Sequence, residues 1–256
     1  MTGLANASPE LILVSITAFL VAGFVKGLVG FGLPTIGLGL MTVFVGVEKA
    51  MVLVLWPAFL TNLWQGLLGG HLRALLQRLW PFLSAAVLVL GAGTLVLTRL
   101  PVGAADLVLG ILMVAYAVPL LAGVVLTIPA RLEVPIGVGL GLVNGVFSGL
   151  TGSYTVPGVM YLQAIGLPRD QLIQAMGLLF LFSTVALGIS LGSFGLVSGR
   201  ETLASIVLVI PTLLAVWAGQ KVRKKVSEAA FRRLVLAAIL ALGLYLIPLG
   251  VWRLVQ

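Results

Sequence analysis

Lys26 is the one basic side chain set well inside an apolar stretch of this sequence, and Ser148 follows it 122 positions later. Each stands in a run of small and hydroxyl-bearing residues, Gly23-Phe24-Val25-Lys26-Gly27-Leu28-Val29-Gly30-Phe31-Gly32 and Asn144-Gly145-Val146-Phe147-Ser148-Gly149-Leu150-Thr151-Gly152-Ser153-Tyr154-Thr155. An ammonium, several hydroxyls and the backbone N–H groups freed where a helix starts anew form a set of donors that suits an anion. On that reasoning the candidate binding residues are Lys26, Gly27, Gly30, Phe31, Gly32, Asn62, Ser148, Gly149, Thr151, Gly152, Ser153 and Tyr154. Lys26 would supply the main charge and Ser148 a hydroxyl. Blander readings stand beside these. Gly23/Gly27 and Gly145/Gly149 also fit close helix packing, and Thr61, Asn62, Gln65, Ser183 and Thr184 fit interhelical hydrogen bonds. Lys26 also fits a snorkelling lysine near a helix end.

Other chemistries find no residues to carry them. With no cysteine there is no disulfide or thiolate site, and the single histidine, His71, follows Gly69-Gly70 as a solvated loop residue would. None of the seven acidic residues falls in the middle of an apolar span, which removes a carboxylate relay. Glu48 and Asp170 precede helices, where N-capping or solvation is expected. An intramembrane serine protease needs a base beside its nucleophile, and a zinc protease needs ligands such as His-Glu-x-x-His. Neither set is present, so the expectation is a protein that is not an enzyme and uses no metal or cofactor.

The elements that must position these residues follow from composition. Of 256 residues 61% are hydrophobic and 9% charged, with a mean hydropathy of +1.23, whereas soluble domains carry about 25% charged residues. Apolar stretches of roughly 20 residues recur between short charged loops, each long enough to cross ~30 Å of hydrocarbon as a helix. They are continuous rather than alternating, which excludes a β-barrel. The first nine residues lack a basic region and the apolar stretch continues past Lys26, so no cleaved signal is read. A net charge of +8 would suggest nucleic acid for a soluble chain. Here six of fifteen Lys/Arg lie between Lys221 and Arg233, which reads as a cytoplasmic loop.

The chain also repeats itself. Leu20–Gly30 and Leu142–Gly152 agree at six of eleven positions under a shift of 122, and the same shift pairs Glu48 with Asp170, Thr61-Asn62 with Ser183-Thr184, Gly66 with Gly188 and Gly70 with Gly192. Two homologous halves, 1–126 and 127–256, are expected within one membrane domain. Each opens on a long segment (10–47 and 132–166) followed by three spans, at 51–69, 79–98 and 104–126, then at 171–192, 202–220 and 231–252. A 38-residue helix would be ~57 Å long, so the long segment must break. The glycines and prolines of Gly30-Phe31-Gly32-Leu33-Pro34 and Gly152-Ser153-Tyr154-Thr155-Val156-Pro157 predict where. A broken segment that starts and ends on one side, plus three crossings, inverts the second half. That arrangement puts ten Lys/Arg inside and four outside, against nine and five for parallel halves, so the charge rule leans to inversion. The fold class expected is an all-α polytopic membrane protein of two inverted-topology repeats.

The paired glycine motifs, Gly23–Gly32 and Asn144–Gly152 with Pro157 following, resemble the doubled signature of the TauE/SafE family of sulfite exporters and related permeases. The resemblance covers both halves. It implies a multi-pass bacterial inner-membrane permease for sulfite, an organosulfonate or another small sulfur-containing anion. The implied partners are that anion and the lipid bilayer, with no nucleic acid, and self-association is allowed. The chain departs from the family pattern at Leu33-Pro34 and Ser153-Tyr154, where further glycines are common, and side chains there would reshape a pocket. An anion channel or uniporter, and a membrane scaffold that transports nothing, are the alternative readings.

Overall fold

In the computed structural model residues 9–223 and 228–256 are described, and all their regular structure is helical. The order is α1 (Pro9–Val29), α2 (Leu38–Val45), α3 (Val47–Leu67), α4 (Leu72–Leu97), α5 (Ala104–Leu121), α6 (Glu133–Thr151), α7 (Met160–Ala164), α8 (Arg169–Ser193), α9 (Gly199–Val222) and α10 (Glu228–Val255). All but α2 and α7 are long and apolar enough to cross a membrane, which makes eight candidate spans among the described residues. In hydrocarbon every backbone polar group must be satisfied within its own segment, and a helix does this. The outward side chains agree: Leu88, Ile189, Leu203, Ile210 and Leu214 are each more than 60% exposed. All five tryptophans also face outward, as residues at the lipid boundary do.

Both long segments break at the glycines. α1 ends where Gly30 takes φ +85°, Gly32 follows at φ +123°, and a π-helical turn, Leu33–Gly37, leads into α2. α6 ends at Gly152 with φ +72°, and the π-helical turn Thr155–Val159 leads into α7. A left-handed backbone costs a residue with a side chain about 1–2 kcal/mol, which glycine does not incur. Residues after each break pack on the helix before it. Gly32 stands against Val25 and Gly37 against Ala22, while Gly158 stands against Asn144.

Several boundaries differ from the hydropathy reading. α4 starts at Leu72 rather than 79, because Arg73, Gln77 and Arg78 are helical although polar; Arg78 gains an ion pair with Glu133. α5 stops at Leu121 rather than 126, and residues 124–129 are irregular. The helix that holds Glu48 in its first turn is capped by Gly46 and that of Asp170 by Pro168, neither through a side chain, so the capping half of the expectation is corrected. Both acids sit exposed in the first turn, where the helix dipole favours them.

Four glycine-lined pairings hold the bundle. Gly23 and Gly27 of α1 meet Thr212 and Val216 of α9 in the same chain direction. Gly145 and Gly149 of α6 meet Ala86 and Leu90 of α4, again in parallel. α3 and α8 run antiparallel, Gly66 against Gly177 and Leu55 against Gly188, as do α5 and α10 through Gly110 and Gly243. The start of α4, with Arg78, therefore shares one face with the end of α9, and Arg99 and Arg200 lie at the other. Lys224 and Lys225 of the basic loop lie outside the described residues.

Candidate functional site

The two breaks meet. The hydroxyls of Thr35, in the first π turn, and Thr155, in the second, lie 2.7 Å apart, and both residues are buried. Ser153 Oγ donates to Thr155 at 3.5 Å, and Ser148 Oγ donates to the Ser153 carbonyl at 3.3 Å. The Ser153 N–H donates to Thr151 Oγ1 at 3.3 Å, while the Thr151 hydroxyl turns to the Phe147 carbonyl at 2.7 Å. Asn144 ties the second break to α6, accepting from the Gly158 N–H at 2.9 Å and donating to Ser148 at 3.3 Å.

A chain of hydrogen bonds ties the second break to Lys26, 3% exposed. Its ammonium donates to Asn62 Oδ1, the Asn62 amide donates to Thr184 Oγ1 at 3.4 Å, and Thr184 donates to the Tyr154 hydroxyl at 3.4 Å. The chain of bonds thus crosses from α1 through α3 and α8 to the second break. The Phe180 ring lies 5.9 Å from Lys26 Nζ and also packs against Tyr154, with ring centroids 5.9 Å apart. Among the described residues no carboxylate pairs with this ammonium. Its partners are neutral, and a buried cation in that setting is costly without a counter-charge. A cavity reaches it, lined by Lys26, Thr61, Gln65, Gln220 and Arg223 with the exposed Trp64 and Trp217.

Of the sequence candidates, Lys26, Asn62, Ser148, Thr151, Ser153 and Tyr154 come together in these linked networks. Gly30, Phe31 and Gly32 form the first break itself. The Gly30 carbonyl accepts from Gln65 Nε2 at 2.7 Å, and the same amide reaches the Ile173 carbonyl at 2.8 Å. Phe31 turns away, edge-on to Tyr116. Gly152 packs against Met51, so that a Cβ there would lie 2.7 Å from Met51 Cγ. Gly27 and Gly149 face α9 and α4, at the close helix contacts that the packing reading described. Asn62 and Thr184 do bond between helices, and they do so at the centre of the cluster.

Several residues of the site escaped the sequence reading. Thr35 lay beside Pro34 without being singled out, and Asn144 was part of a motif without a role. Gln174 is buried and bonds the Gly66 carbonyl and the His71 N–H at 2.9 and 3.0 Å. Two arginines brace the ends of the short helical segments after the breaks. Arg253 donates to the Thr42 and Val43 carbonyls of α2 and to Asp106, whose other oxygen accepts from the Val47 N–H at 2.9 Å. Arg78 donates to the Ile165 carbonyl at 3.1 Å and to both oxygens of Glu133. The visible signal was a run of buried-type polar residues inside otherwise apolar spans.

Compared with known protein families, residues 15–246 match the family described as Sulfite exporter TauE/SafE. No curated protein and no solved structure gives a match.

Proposed function

The chain belongs to the sulfite exporter TauE/SafE family, and from that premise we propose that this multi-pass membrane transporter carries a small sulfur-containing anion, sulfite or an organosulfonate, through the cluster around Lys26. The observation that carries the reading is the buried Lys26 ammonium, which donates to Asn62, lies near the Phe180 ring and pairs with no carboxylate among the described residues. A sulfite or sulfonate oxygen would take the donors of Lys26 that Asn62 leaves. The reading is of transport rather than catalysis, with no cofactor, in a bacterial inner membrane.

The architecture is read as a duplication, residues 1–126 and 127–256, with the second half inverted and each broken segment re-entrant. Three features support it. The π turns start 122 residues apart, at Leu33 and Thr155. α3 and α8, which also start 122 apart, run antiparallel. The carbonyls of Val43 and Ile165, again 122 apart, each accept from an arginine that pairs with a carboxylate. Inverted repeats bring their discontinuous helices together at one central site, which suits alternating access.

The test is a screen of sulfite, sulfate, thiosulfate, taurine and simple carboxylates against the purified protein, by calorimetric binding and by flux into proteoliposomes. Sulfite or a sulfonate is expected to bind and move in preference to the carboxylates. Flux and binding of none of the sulfur anions would overturn the reading.

A further inference from the structure

The cavity that reaches Lys26 is lined chiefly by one side of α3 and one side of α9. On α3, Thr61, Trp64, Gln65 and Leu68 recur at the spacing that puts side chains on a common helix face, and on α9 Leu213 and Trp217 stand one turn apart. Depth divides them by chemistry. Thr61 is buried and Gln65 half-buried, with its amide on the Gly30 carbonyl, whereas Trp64, Leu68, Leu213 and Trp217 are all exposed. The Lys221 ammonium stands 3.5 Å from the centroid of the Trp217 ring and holds that ring in place. The cavity thus has a buried cation at its inner end and an apolar, aromatic wall farther out, with Gln220 and Arg223 at the end of α9.

Its volume, about 300 Å³, stands at the lower end of the ~300–1,000 Å³ of pockets that take organic molecules, which are mostly apolar with a few placed polar groups. Inorganic sulfite gains nothing from such a wall. Its oxygens are hydrated, and setting them against apolar side chains forfeits water without a bond in return. An anion that carries a carbon chain has a use for both ends of the cavity: its charge meets the ammonium, and its chain leaves water for the wall.

We propose that Trp64, Leu68, Leu213 and Trp217 are the specificity-determining residues of the transporter, receiving the carbon chain of an anion whose sulfonate sits at Lys26. The substrate class is then an organosulfonate with an apolar chain rather than inorganic sulfite. The proposal rests on the transport reading and narrows it.

The test titrates the full-length protein in nanodiscs with sulfite and with methane-, ethane-, propane- and butanesulfonate, subtracting the signal of protein-free nanodiscs. In the parent each added methylene should tighten Kd about fourfold, the return for burying one such group. The Trp64→Ala, Trp217→Ala double variant should lose most of that slope while its Kd for methanesulfonate stays within about twofold, because Lys26 is untouched. Taurine matches propane-1-sulfonate in size but ends in an ammonium instead of a methyl, and it should bind about tenfold more weakly. A flat series in the parent, an unchanged slope in the double variant, or taurine binding as tightly as propanesulfonate would overturn the wall. Sulfite binding and flux beside a flat sulfonate series would leave the transport reading standing. Absence of binding and flux for sulfite and every sulfonate would overturn both. Should the double variant not fold, Leu68→Ser, at an exposed position of the same wall, takes its place and should lower the slope.

Discussion

Replacing Lys26 by methionine keeps the length of the stem and removes the charge, so stability and binding should part company. An ammonium at the centre of a membrane helix costs ~2.5–3.5 kcal/mol. Its bond to Asn62 returns much of that, since a hydrogen bond from a charged group contributes ~1.5–3 kcal/mol. The two terms nearly cancel, and Lys26→Met should unfold within about 2 kcal/mol of the parent. Binding has no such cancellation. An anion loses one charge-assisted bond, ~1.5–3 kcal/mol, which raises Kd roughly tenfold to a hundredfold. Lys26→Arg should retain part of the affinity, because charge survives while donor geometry changes. Thermal unfolding in detergent with calorimetric titration of sulfite reads both quantities on one sample. An unchanged Kd for Lys26→Met would refute the reasoning, as would a variant that unfolds far below the parent.

Other outcomes follow from the same geometry. Thr35→Cys with Thr155→Cys should oxidise to an intramolecular crosslink visible as a gel shift, since these hydroxyls are 2.7 Å apart and the chain has no other cysteine; failure to crosslink would separate the breaks. Gly149→Leu sets a side chain against the Leu90 carbonyl and the Thr94 N–H, backbone that no rotamer relieves, and should cost about 3 kcal/mol or more in unfolding measured by size-exclusion after heating. Asp106→Ala leaves Arg253 partly buried without its carboxylate and should cost ~3–5 kcal/mol by the same assay, against a smaller loss for Arg253→Lys. Single cysteines at Arg78 and Lys224 should label from one side of the membrane with an impermeant reagent, and those at Arg99 and Arg200 from the other; Arg78 and Lys224 labelling from opposite sides would remove the inverted arrangement.

The fold was legible where chemistry is local. Glycine at Gly30 and Gly152, with Pro34 and Pro157 close behind, leaves the helical ladder no way to continue, and the breaks stand there. Runs of apolar residues marked the spans for the same reason, although polar helix ends such as Leu72–Arg78 fell outside the hydropathy window while remaining helical. The site was legible only as a collection of donors. That Lys26 turns to Asn62, that Thr184 links Asn62 to Tyr154, and that Gln65 holds Gly30 depend on how α1, α3 and α8 cross. No spacing along the chain encodes those crossings. Asp106 was invisible for a related reason: a carboxylate at a helix start reads as solvated, and its burial against Arg253 comes from a helix nearly 150 residues away.

The pairing of α1 with α9 and of α6 with α4 bears on how the chain is made. The glycine face of α1 emerges early in synthesis, yet its partner on α9 begins at Gly199, and until then Gly23 and Gly27 can meet only lipid or a helix that does not belong there. α6, in turn, can dock on α4 as soon as it is inserted. Assembly should therefore proceed from the α4–α6 seam outward, with α1 closing onto α9 late and α5 onto α10 last. A ribosome stalled before Gly199 would hold a chain that is inserted but not yet closed, and either half released alone would expose a seam shaped for the other.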